Sequence, residues 1–150
     1  MFYGFFDSIL RCNEALPELS ELPAAPVNGA LLEVRIEPSK SSVTASRNLE
    51  LHPWLDDTDR VVQGRLGDAI LIQVRGLADF LVRPSAPAIQ CHPCPGAHPA
   101  SVRHFLLNQI LPRLISVRDP LVIHAGAVAT RLGAIALIGP AGAGDRKSVV

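Results

Sequence analysis

The chain has 150 residues, 48% of them hydrophobic and 19% charged, with 14 basic side chains balancing 14 acidic ones. That length and composition suit one ordinary domain with a sizeable core and are too small for two full ones. No run of Lys or Arg exceeds two adjacent residues, which removes the electrostatic footprint of a nucleic-acid binder, and no apolar run reaches the roughly eighteen residues that span a bilayer.

The opening "MFYGFFDSIL" is aromatic and apolar, as a first strand would be. It lacks a basic leader region and is cut by Asp7, so it does not read as a secretory signal, and a cytoplasmic location is expected. Next comes "LPELSELPAAPVNG", where Pro17, Pro23 and Pro26 forbid a continuous helix or a central strand. In "ALLEVRIEP", apolar Leu32, Val34 and Ile36 alternate with Glu33, Arg35 and Glu37, the period-2 pattern of a half-buried strand.

Residues 39–59 are polar and punctuated, and read as a long loop or a poorly ordered strand pair. Within them Asp56, Asp57 and Asp59 lack the glycine and distal glutamate of a calcium loop, so a solvated turn is expected. Three short strands follow, at 60–63, 69–74 and 78–82. Turns at Gly67-Asp68 and Arg75-Gly76 make them an antiparallel meander.

The three cysteines do not make a disulfide framework. Cys91 and Cys94 lie in "CHPCPGAHP" with His92 and His98, residue types that zinc accepts. A closed zinc site usually recruits a second ligand pair from elsewhere, and Pro93 and Pro95 stiffen the segment. A proline-shaped loop with two reduced thiols and no metal is therefore expected.

The clearest helix is "HPASVRHFLLNQILPRLISV". Pro99 suits a first helical position, and Val102, Phe105, Leu106, Ile110 and Leu114 recur at three- and four-residue intervals. Pro112 should kink it or end its regular part. Arg103, His104, Asn108 and Arg113 fall mostly on the opposite, solvated face. Beyond it, "LVIHAGAVAT" and "GAIALIG" read as two buried strands in a hairpin, the second leading into "GPAGAG". Gly139 and Gly144 stand five apart, as the glycines of a phosphate-binding loop do.

These last residues resemble the core of the HPr kinase/phosphorylase-like serine kinases, whose P-loop domain is related to phosphoenolpyruvate carboxykinase. The family places a histidine-bearing strand, then a second strand, before a loop of the form G-x-x-G-x-G-K-S. Gly139, Gly142 and Gly144 match that loop, His124 matches the histidine, and "LPEL", "LLEVRI" and "RHFLLNQILPRLISVRDPLVIHAGAV" resemble segments upstream. The resemblance implies a protein- or peptide-serine kinase using ATP and magnesium. Its β-phosphate would be cradled by the loop backbone of Gly139, Pro140, Ala141, Gly142, Ala143 and Gly144, and His124 would assist a catalytic carboxylate. The partner implied is a protein or peptide bearing a serine, with no nucleic acid and no membrane, and a homo-oligomer of the full-length protein is compatible with the family.

After Gly144 the pattern breaks. Asp145 and Arg146 stand where Lys and Ser or Thr belong, and Lys147 and Ser148 arrive two positions late. "DRKSVV" resembles one reading frame of a widely used short-read sequencing adapter, so residues 145–150 are expected to be foreign read-through on the amino-terminal part of a longer protein. A chain with this ending should neither bind ATP usefully nor transfer phosphate, the catalytic aspartate, second metal-binding carboxylate and substrate region being expected downstream. Two other functions stay open: a carboxykinase-like phosphotransferase acting on a small acid, and a small non-enzymatic binding protein with a genuine Gly-rich tail. The expected fold is α+β. Residues 1–117 form an antiparallel β-rich portion ending in one amphipathic helix, and 118–144 begin a P-loop kinase domain with its first β-hairpin.

Overall fold

A computed structural model describes residues 1–5, 8–23, 30–38, 50–53, 60–116, 125–131 and 133–139. The chain divides into two units, Met1–Asp119 and Pro120–Val150. The fold is α+β, as the sequence leads one to expect. Among the described residues, no helix is long and apolar enough to cross a membrane.

The first unit is built on an eight-stranded sheet. Its strands are β1 (Phe2–Phe5), β2 (Ser8–Cys12), β3 (Ala30–Ile36), β4 (His52–Pro53), β5 (Val61–Leu66), β6 (Ala69–Val74), β7 (Ala78–Arg83) and β8 (Ala88–Pro93). They lie in the order β1-β2-β3-β8-β7-β6-β5-β4. The aromatic opening forms two strands, β1 and β2, where one was expected. β5, β6 and β7 form the expected antiparallel meander, with Gly67 at φ +61° and Gly76 at φ +73° in its turns, a left-handed backbone that favours glycine. The sheet is not antiparallel throughout, because β2 pairs with β3 and β3 with β8 in parallel. Parallel neighbours need a crossover, and the Pro-rich segment between β2 and β3 is one. Apolar alternation reports which face a residue takes and carries no information on strand direction.

β8 replaces the expected proline-shaped loop at 91–93. Ile89 and Cys91 are buried while Gln90 and His92 are only half-buried, so the strand alternates; Pro93 is tolerated as its last residue.

One helical run covers the sheet: α1 (Pro99–Phe105), a π-helical turn (Leu106–Ile110) and α2 (Leu111–Ser116). His98 caps its start, the ring Nδ1 accepting a hydrogen bond from the Ala100 N–H at 3.3 Å, and Pro99 follows where a missing N–H costs nothing. Pro112 does not end the helix. The departure from α geometry comes just before it, where the Leu111 N–H donates to the Leu106 carbonyl five residues back. This wider turn absorbs the proline that a regular ladder would reject.

Phe80 of β7 stacks on Phe105 with ring centroids 5.8 Å apart, which identifies the sheet face under the helix. Following the strand register, Ile72, Phe80 and Cys91 form one row on that face, and Val82, Ile89, Val34 and Cys12 another. All are buried, as are Val102, Leu106, Ile110 and Leu114 from the helix. Tyr3 extends this core at the far edge, its hydroxyl accepting a hydrogen bond from the Leu16 N–H at 3.0 Å. The opposite face is more polar, with a small buried cluster of Ala69, Leu71 and Leu81 beside buried Asp79.

The expected solvated helix face holds for His104 and Asn108, which are exposed and bonded to each other. It fails for two arginines. Arg103 pairs with Glu18 at 3.0 Å, and Arg113 donates to the Gln63 side-chain carbonyl at 2.8 Å. Neither Glu18 nor Gln63 is near its arginine in sequence, so helical periodicity has no way of showing these partners.

The second unit contains the expected hairpin, β9 (Gly126–Thr130) paired antiparallel with β10 (Gly133–Leu137). Its strands are not buried as expected. Val128 is 51% exposed, Ile135 57% and Ile138 66%. Two strands alone cover neither of their own faces, and the described residues of this unit add no third strand or helix.

Candidate functional site

The glycine-rich segment is positioned by β10. The register Gly133↔Thr130 to Leu137↔Gly126 closes the hairpin, and the Thr130 hydroxyl tightens its turn by donating to the Gly133 carbonyl at 2.8 Å. The strand ends at Leu137, and Gly139 follows after Ile138, exposed. Of the residues singled out for phosphate binding and catalysis, only Gly139 is among those described. His124, Pro140, Ala141, Gly142, Ala143 and Gly144 lie outside them, as do residues 145–150 and the Asp56, Asp57 and Asp59 cluster.

Whether the residues present fit ATP and magnesium is decided by their chemistry. A phosphate loop needs a cation on the outer phosphates and a hydroxyl on the metal directly after its last glycine. The chain offers Asp145, a carboxylate that repels phosphate, and Arg146 in place of the hydroxyl. The donor set as it stands does not fit the nucleotide.

The cysteines and histidines near 91–98 do not converge. Cys91 points into the core under the helix, His92 lies on the opposite sheet face with Asp79 as its cross-strand neighbour, and His98 is used as the helix cap. Among the described residues, no three His, Cys, Asp or Glu groups gather as a metal site would require. Burial pushes the Cys91 thiol up to about 12, with smaller contributions from Cys12, Asp79 and Cys94. Cys12 and Cys94 are also raised, in both cases chiefly by burial. None of the three is therefore held as a thiolate, the form a nucleophile needs.

A cleft of about 580 Å³ lies elsewhere in the first unit, between the outer strands and the end of the helix. Gln63 and Arg65 enter it from β5, Arg113 from α2, and His52 from β4. The Asp68 carboxylate stands at the β5–β6 turn and accepts a hydrogen bond from the Ser85 hydroxyl at 2.9 Å. Ile70 and Pro84 add apolar wall. The residues in it come from four separate stretches of chain, so no local motif announces it.

Against known protein families, characterised proteins and solved structures, the chain finds no match. The chemistry of its own residues therefore carries the functional argument.

Proposed function

We propose that residues 1–144 are the amino-terminal part of an ATP-dependent protein- or peptide-serine kinase of the HPr kinase-like kind, and that residues 145–150 are foreign to it. One observation carries the reading. β10 ends at Leu137 and the G-x-x-x-x-G spacing opens at Gly139, so the glycines follow a strand, the context in which such a motif has a physical purpose. The exposed apolar side chains of Val128, Ile135 and Ile138 agree with a hairpin meant to sit inside a larger sheet. In the complete enzyme the nucleotide would supply the phosphoryl group, and this chain would contribute loop backbone and His124.

Three free cysteines, two of them buried, suit the reducing cytoplasm, where we place the protein. The sheet and helix of the first unit, with their own core and cleft, favour a second reading as a small binding module. Amplification from source DNA, with a primer well beyond the Gly144 codon, separates the two. A frame continuing as Lys-Ser or Lys-Thr into an apolar helix supports the kinase. A frame that truly reads "DRKSVV" and stop removes it. On the 150-residue chain itself, calorimetry is expected to show no micromolar ATP affinity.

A further inference from the structure

We draw no further inference here: the strongest candidate, the apolar pocket of about 200 Å³ lined by Ile36, Pro93, Pro99 and Val102 between the ends of β3 and β8 and the start of α1, carries nothing because its Arg103 is already paired with Glu18 and nothing in the structure shows what fills it.

Discussion

The sheet unit and the hairpin unit carry similar apolar strand patterns and treat them in opposite ways. Phe80, Ile72 and Ile89 are at most 1% exposed, whereas Val128 and Ile135 are more than half exposed. Both strand pairs are correctly registered, so backbone pairing is not what separates them. The difference is a covering layer. Val102, Leu106, Ile110 and Leu114 close one face of the large sheet, and the hairpin has no such layer among the described residues of its unit.

The largest test of that contrast is truncation at equivalent apolar positions. Phe80→Ala should cost about 3–5 kcal/mol in urea unfolding, through lost burial and the cavity left against Phe105. Ile135→Ala should change stability by no more than about 0.5 kcal/mol. Similar losses at the two sites would break the comparison.

A smaller effect comes from alkali. Burial lifts the folded Cys91 pKa to about 12, above the ordinary thiol value of 9.0, so between these pH values the unfolded chain loses a proton that the folded chain keeps. Stability is complete below pH 9 and falls as pH rises towards 12, by about 1.4 kcal/mol per unit at most. Unfolding of Cys91→Ala across this range should show a flatter dependence, and an unchanged slope would place the titration elsewhere. Cys94, only half-buried, should be alkylated before Cys91 in the folded protein.

Next in size is Asn13. Its side chain receives the Ile36 N–H at 2.8 Å and donates to the Ile36 carbonyl at 2.8 Å, closing the end of β3 as a neighbouring strand would. Asn13→Ala should cost about 1–2 kcal/mol, read as a lower urea midpoint. The smallest expected change is from Ile135→Thr and Val128→Thr. Stability should stay within about 0.5 kcal/mol while binding of a hydrophobic dye declines. Undiminished dye binding would place the exposed apolar surface in another region.

The hairpin that leads to the glycines was legible because its signal is local: two apolar runs parted by Arg131 and Gly133. The cleft was not, because Arg65, Ser85 and Arg113 are far apart in sequence and meet only through the stacking of strand on strand and helix on sheet. β8 escaped notice for a related reason. Pro93 and Pro95 outweigh the alternation of Ile89 and Cys91 when read locally, yet the strand pairs on both sides, with β3 and β7.

The sequence by itself determined the period of β3, β6, β7 and the main helix, the turns at Gly67 and Gly76, the start of the helix at Pro99 and the absence of lysine after Gly144. These depend on backbone sterics and on residues a few positions apart. Only the tertiary structure decided strand direction, which arginines leave the solvent and which apolar strands are covered. Those outcomes depend on partners distant in the chain, and burial is a property of the pair rather than of either residue alone.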